Sequence, residues 1–193
     1  MYSVEEFNSL ASSSKTNSSD NISILHVNTR SLTKNISELQ YFVFDDILNP
    51  FDIICVTETK LNSNSDRSAI QLPGYDFYDI LSKTNAGGSG IYISNSYDKK
   101  ERHDLYIQID GECEATFLEV DAKAHGKNLI IGSIYRHPHN NYEDFFESLS
   151  KVVEKVKKKY WLIMLGDMNF NISNLTCPHT RTYKNLLLSL GVS

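Results

Sequence analysis

The stretch Tyr160–Asn171, YWLIMLGDMNFN, is the segment that best predicts how this chain folds. Residues 161–165 are continuously apolar, and Gly166 interrupts the run just before Asp167 and Asn169. A short apolar run closed by a glycine is typical of a buried strand whose end opens into a loop. Alternate side chains of an extended backbone point the same way, so we expect Asp167 and Asn169 to face one site. The alternative is that both residues form an Asx-turn after the strand.

Three more strand-like runs also end in polar residues. They are residues 22–27 before Asn28, residues 52–57 before Glu58, and residues 129–134 before Tyr135. In layered α/β proteins, loops at strand ends carry the functional groups because the sheet holds them rigidly. The sequence therefore predicts that all four strand ends contribute to one site.

Hydrophobic spacing and turn residues predict the remaining elements. Predicted strands cover 75–81, 91–93, 105–109 and 115–120, the last forming a hairpin with 129–134 through a turn at 125–127. Predicted helices carry apolar stripes at 36, 39, 43 and 47, at 145, 149, 152 and 156, and at 183, 186, 187 and 190. Asn35 with Glu38 is interpreted as a capping pair, Asn141 as a second helix cap, Pro50 as a helix stop, and Gly191 as the end of the last helix.

Composition favours one globular domain. The 193 residues are 40% hydrophobic and 22% charged, and the formal net charge of −5 argues against a module that grips nucleic acid through phosphate contacts alone. Residues 1–20 are polar and are interpreted as a disordered tail, with the domain over 21–193. There is no membrane-length apolar run and no signal-peptide pattern, and the three cysteines are scattered, so we expect an intracellular protein without a zinc site.

The residue types at the four strand ends suit attack on phosphorus. Glu58 is a hard oxygen ligand suited to Mg²⁺. Asp167 can orient or deprotonate a water, and Asn28 and Asn169 can hold that water or a phosphate oxygen without adding negative charge. Tyr135 can donate to a phosphoryl oxygen, against the alternative of a core tyrosine with a wet hydroxyl.

Three basic residues lie beside these positions, namely Arg30, Lys60 and Arg136. Each can contact a phosphate or be an ordinary surface charge. His137 and His139 lack partners at metal-ligand spacing, so we interpret them as surface loop residues rather than ligands.

Six motifs in order, HVNTRSL, ICVTETKL, LPGY, GGSGIYI, IYRHP and LGDMN, resemble the endonuclease/exonuclease/phosphatase superfamily. More narrowly, they resemble the apurinic-like endonuclease domains of non-LTR retrotransposons. The resemblance implies a four-layer α+β sandwich, with two mostly antiparallel β-sheets packed face to face and helices outside. It also implies Mg²⁺- or Mn²⁺-dependent nicking of DNA, in the nucleus, by a domain joined to a reverse transcriptase. Carried over by motif, Asn28 and Glu58 bear on the metal, Asn28 and Tyr135 on the phosphate, and Asp167 and Asn169 on the attacking water.

The sequence departs from the family pattern at its end. Family members continue through further strands to an Asp-His element, whereas this sequence ends at Ser193. We therefore expect a C-terminally truncated nuclease domain, lacking its last strands and impaired in activity. Two alternatives are open: a non-catalytic remnant with weak metal or DNA binding, or a relative acting on phospholipid headgroups or inositol phosphates.

Overall fold

Two stacked β-sheets form the centre of the protein in a computed structural model of the chain. The structure describes residues 21–46, 51–84, 86–122, 126–138, 142–174 and 176–191. The predicted tail over 1–20, the helix stop at Pro50, the cap at Asn141, His125 of the predicted turn, and His139 lie outside these ranges. None of the helices in the described ranges is long and apolar enough to cross a membrane.

The first sheet contains four strands. They are β1 (Ile24–Asn28), β2 (Ile53–Thr57), β3 (Tyr75–Ile80) and β4 (Ser89–Ser94), in the order β1-β2-β4-β3. Only β1 and β2 run parallel within this sheet. β2 is buried along its whole length because helix α1 (Leu32–Tyr41) covers one face and the second sheet covers the other.

The second sheet contains five strands. They are β5 (Lys99–Glu101), β6 (Ile107–Ile109), β7 (Cys113–Val120), β8 (Leu129–Arg136) and β9 (Trp161–Asp167). The order is β5-β7-β8-β9 with β6 also pairing with β7, and only β8 and β9 run parallel. Helices α2 (Glu143–Val156) and α3 (Pro178–Leu190) lie against its outer side. The predicted sandwich of two mostly antiparallel sheets with outer helices is therefore confirmed.

Alternation along the strands separates three apolar clusters. Ile53 and Cys55 of β2 face the second sheet, whereas Ile54 and Val56 face α1. In β8, Ile131 lies between the sheets, whereas Ile130 and Ile134 pack under α2. Runs with both faces buried read as continuously apolar, which is why β2 and β8 were predictable from sequence.

Several sequence predictions need correction. Helix α1 begins at Leu32, so Asn35 is not its cap, and the Asn35 amide instead donates to the Thr29 carbonyl at 2.7 Å. Residues 105–109 are not one strand, since a 3₁₀ turn over His103–Leu105 precedes β6. β5 was not predicted.

The largest correction concerns β9, which was expected to be buried. Trp161 is 55% exposed and Ile163 is 38% exposed. β9 pairs with β8 along one edge, and within the described residues no strand pairs with its other edge. An apolar run alone does not reveal whether a strand is flanked on one side or two.

Candidate active site

The four predicted strand ends meet at one edge of the sandwich. Parallel pairing aligns Asn28 of β1 with Thr57 of β2, and it aligns Tyr135 of β8 with Asp167 of β9. The sheets are tied together close to this edge, where the Ser133 hydroxyl donates to the Val56 carbonyl at 3.1 Å. Because both parallel pairs end on the same side, their following residues share one surface.

Asn28 bridges the two acidic residues of the site. Its Nδ2 donates to Glu58 Oε1 at 2.8 Å and to Asp167 Oδ2 at 3.0 Å, although Asp167 lies 139 residues further along the chain. Its Oδ1 accepts the Arg30 backbone N–H at 3.1 Å, which fixes the orientation of the amide. One uncharged donor therefore holds two carboxylates next to each other. Hydrogen bonds to ionised acceptors are stronger than those between neutral groups.

Tyr135 lies beside these carboxylates and is 4% exposed. Burial raises the pKa of Tyr135 to about 12, the negative charges of Glu58, Asp167 and Glu114 act in the same direction, and a hydrogen bond from the Asn169 side chain acts in the opposite direction. The hydroxyl therefore keeps its proton at neutral pH and is available as a hydrogen-bond donor.

Asp167 and Asn169 converge through a turn, not through an extended strand as predicted. β9 ends at Asp167, Asn169 adopts φ 49°, and its backbone N–H donates to Asp167 Oδ1 at 3.0 Å. The Asn169 side chain donates to the Arg136 carbonyl at 2.7 Å. The Asx-turn that was considered as an alternative is thus present, and it is the means by which the two residues share the site.

Gly166 permits the strand to approach its neighbour closely at this point. A Cβ at this position would lie 1.9 Å from the Ile134 carbonyl oxygen. A residue with a side chain would displace the end of β9 and with it Asp167.

The turn after β2 places Glu58 and Lys60. Both have left-handed backbone conformations, with φ 50° and 53°, and Lys60 Nζ lies 3.7 Å from Glu58 Oε2. Arg30 is exposed after β1 with φ 51°. Lys60 therefore lies beside the Glu58 carboxylate, and Arg30 presents an exposed side chain two residues after Asn28. Their phosphate contacts stay a prediction.

Arg136 occupies a different environment. Its side chain is fully buried, its Nε donates to the Met168 carbonyl at 2.9 Å, and its guanidinium lies 4.1 Å from the Tyr142 ring centroid. This placement does not support the predicted phosphate contact, because the guanidinium binds the loop that carries Asn169.

The donor set at this edge fits a hard cation. Glu58 and Asp167 supply carboxylate oxygens, and Mg²⁺ typically uses one or two carboxylates while keeping several waters. Groups of three or more His, Cys, Asp or Glu side chains, which would mark an all-protein metal cage, do not occur among the described residues. The two carboxylates thus fit a partly hydrated divalent ion.

Sequence reasoning missed the buried pair formed by Glu114 and His137. His137 Nε2 lies 3.0 and 3.2 Å from the two Glu114 carboxylate oxygens, and His137 and Glu114 are 7% and 2% exposed. The interpretation of His137 as a surface residue is wrong. The signal was available in the predicted hairpin, whose register places Glu114 opposite Tyr135, two residues before His137.

The fold and the site together define a class, namely a layered α/β sandwich with an acidic site at its strand ends. The model of the Endonuclease/Exonuclease/phosphatase family matches residues 25–191, and the chain therefore belongs to this family, whose members are hydrolytic nucleases or phosphatases. No curated protein matches the chain.

Solved structures share this fold at low sequence identity. An AP endonuclease from Leishmania major is 13% identical with a TM-score of 0.66, over 86% of this chain and 65% of that enzyme. A variant of the 3′ phosphatase NExo from Neisseria, bound to product DNA hairpin, is 19% identical with a TM-score of 0.63, over 88% and 71%. The human Nocturnin catalytic domain is 13% identical with a TM-score of 0.56, over 88% and 70%. The chain thus spans about two thirds of the length of these structures.

Proposed function

We propose that this chain is the Mg²⁺-dependent DNA endonuclease domain of a non-LTR retrotransposon protein. The observation that carries the proposal is the Asn28 amide, which holds Glu58 and Asp167 together from two different sheets. A structural role alone does not require two carboxylates to be gathered at an edge, since like charges repel. A site that binds a cation and a phosphate does require them.

The residues divide the work of phosphodiester hydrolysis as follows. Asp167 accepts a proton from the attacking water, and Asn169 and Asn28 orient that water and a non-bridging oxygen. The water oxygen bonds to phosphorus as the P–O bond to the leaving strand breaks, and the leaving oxyanion takes a proton from solvent. The Tyr135 hydroxyl donates to the phosphoryl oxygen as negative charge develops. A cation held by the Glu58 carboxylate would neutralise phosphate charge, with Mg²⁺ as the first choice and Mn²⁺ as a substitute. Asn28 would orient that carboxylate rather than bind the cation, because its amide nitrogen faces Glu58 and its Oδ1 accepts the Arg30 N–H.

DNA is the proposed substrate because two of the structural neighbours are an AP endonuclease and a 3′ phosphatase bound to product DNA. The retrotransposon context is proposed from the ETKL and YRHP motifs, which also argue against a phospholipid or inositol phosphate substrate. In that context the domain nicks chromosomal DNA in the nucleus, and a reverse transcriptase domain of the same protein extends the nick.

The second candidate is a non-catalytic relative with weak metal or DNA binding. The observation that favours it is the burial of His137, which is held by Glu114 and is turned away from solvent. No other described histidine pairs with a buried carboxylate in the structure. Without an imidazole from His137, the site would rely on Tyr135 and Lys60 to stabilise the transition state.

A plasmid assay separates the two candidates. Supercoiled plasmid is incubated with the protein in Mg²⁺, in Mn²⁺ and in EDTA, and nicked circles are quantified. We expect metal-dependent nicking that falls by about 10²–10⁴-fold in Asp167→Asn, the range typical of general-base catalysis. Asp66→Asn is the matched control, because Asp66 is an exposed carboxylate that bonds Ser68 in a surface turn. Nicking that persists in EDTA or in Asp167→Asn contradicts the proposal, and absence of nicking with both metals favours the second candidate.

A further inference from the structure

Glu114 is a buried carboxylate that the proposed reaction does not use. It receives three donors: the Ser82 hydroxyl at 2.8 Å, His137 Nε2 at 3.0 Å and the Gly88 backbone N–H at 3.4 Å. A carboxylate that is 2% exposed must be compensated by such partners, because desolvating an unpaired charge is expensive. The pair with His137 is therefore a built feature of this sheet edge.

Two of the three partners of Glu114, Ser82 and Gly88, belong to the opposite sheet. Ser82 follows β3 and Gly88 precedes β4, so both lie in the connection between two strands of the first sheet. Glu114 and His137 lie on β7 and directly after β8 of the second sheet. The pair thus ties the β3–β4 connection to the neighbouring sheet.

The same connection holds the turn that carries Glu58. The Lys60 N–H donates to the Gly87 carbonyl at 2.8 Å, and the Thr59 N–H donates to the Gly88 carbonyl at 3.3 Å. These two bonds support a turn whose left-handed conformation at Glu58 is unfavourable for a residue with a side chain. The position of the Glu58 carboxylate therefore depends on where residues 87–88 lie.

Gly87 packs directly on the pair. A Cβ at this position would lie 2.6 Å from both Glu114 Oε2 and His137 Nε2. On the other side of the pair, the His137 ring lies edge-on to Tyr135, with 4.9 Å between ring centroids. The pair consequently contacts both halves of the site, the Glu58 turn through Gly87–Gly88 and the Tyr135 ring directly.

We propose that Glu114 and His137 are positioning residues that set the geometry of Glu58 for cation binding. This inference rests on the proposed role of Glu58 as a metal ligand. Groups that orient a ligand from outside the coordination sphere typically change metal affinity by about 10–100-fold. Because Glu114 acts through a backbone connection, we expect the lower end of that range.

The test compares Glu114→Gln with Glu119→Gln in the complete chain. Glu119 is the matched control, because it lies on the same strand and accepts Arg102 at 3.0 Å and Asn128 at 2.9 Å. Glu114→Gln turns one carboxylate oxygen into an amide donor, which faces the Ser82, His137 and Gly88 donors. This should loosen the β3–β4 connection. Mn²⁺ binding is titrated by electron paramagnetic resonance, and amide hydrogen exchange is followed at Thr59 and Lys60.

We expect Glu114→Gln to weaken Mn²⁺ binding by about 10-fold and to speed exchange at Thr59 and Lys60, with neither change in Glu119→Gln. Equal effects in both variants, or unchanged exchange in Glu114→Gln, overturn the inference. If Glu114→Gln does not fold, Gly87→Ala displaces the connection while keeping both side chains of the pair, and the same two results are required of it. Absence of Mn²⁺ binding in the wild-type chain counts against the proposed function, whereas the exchange measurement still decides the role of the pair.

Discussion

Replacing Asn28 by Asp is the most direct probe of the candidate site. The Asn28 amide nitrogen donates to Glu58 and Asp167 at 2.8 and 3.0 Å. Asn28→Asp keeps the size of the side chain but replaces the shared donor by a third negative charge. Asn28→Ala is the comparison, because it removes the donor without adding charge.

The two variants should differ in magnitude. Net hydrogen bonds to charged groups contribute about 1.5–3 kcal/mol each. Because water can replace part of both bonds at this partly exposed edge, we expect Asn28→Ala to lower the free energy of unfolding by about 2 kcal/mol in total. Like charges about 4 Å apart near a protein surface repel by about 4 kcal/mol. Allowing for side-chain rotation and screening, we expect Asn28→Asp to cost about 2–3 kcal/mol more than Asn28→Ala.

Thermal unfolding in EDTA and in Mg²⁺ measures the difference. For a chain of this size 1 kcal/mol corresponds to about 2–4 °C in Tm, so the variants should melt roughly 4–12 °C apart in EDTA. Mg²⁺ should close most of that gap, because an added carboxylate beside Glu58 and Asp167 becomes a further oxygen ligand and binding stabilises the folded state. If Asn28→Asp melts with Asn28→Ala in EDTA, the two carboxylates do not converge on this position and the reasoning is refuted.

Three further outcomes follow from the geometry around the site. Gly166→Ala should destabilise the protein by more than about 2 kcal/mol in urea unfolding, because its Cβ would lie 1.9 Å from the Ile134 carbonyl oxygen; a smaller loss contradicts the close approach. Arg136→Lys should lower the free energy of unfolding by about 1–3 kcal/mol, because a lysine ammonium cannot reproduce the two hydrogen bonds from the guanidinium to the Met168 and Asn169 carbonyls. An unchanged urea midpoint would contradict this role of Arg136 in holding the loop. Iodoacetamide at pH 8 should label Cys177 well before Cys55, because backbone hydrogen bonds lower the pKa of the Cys177 thiol while burial raises the pKa of Cys55 to about 12. Thiolate is the reactive form, so raising the pH should increase the labelling of Cys177 first. Equal labelling rates of the two cysteines by mass spectrometry would contradict this.

The sequence predicted the members of the site because each of them directly follows a strand. The apolar runs before Glu58 and Tyr135 are buried on both faces, whereas the run before Asn28 is half-buried along its length. Apolar runs of this kind are recognisable without knowing their partners. When four such runs end in polar residues, a layered fold with parallel pairs is enough to bring those ends to one edge. The sequence does not reveal the bridge made by the Asn28 amide, because Asn28 and Asp167 lie 139 positions apart.

The environment of the residues after Tyr135 was predictable in principle but was predicted incorrectly. Period-two alternation places Arg136 on the same face as Ile134, which packs under the helices, and it places Tyr135 on the opposite face. Treating a charged residue beside a site residue as a phosphate contact ignored this alternation. The exposure of β9 is different in kind, because the number of strands flanking it depends on pairing that no local pattern specifies.

Backbone strain at the site argues that its geometry is selected for more than stability. Arg30, Glu58, Lys60 and Asn169 all have φ between 49° and 53°, and all four follow strands that end at the site. Asparagine tolerates this region, whereas adopting it costs the other three residue types about 1–2 kcal/mol each. Glycine at those three positions would remove the cost but also the charge. The chain instead keeps a carboxylate and two basic groups in strained turns and offsets the strain with bonds from neighbouring loops, such as those from residues 87–88 to Thr59 and Lys60. That arrangement is expected where the direction of a charged side chain matters more than the stability of the turn that carries it.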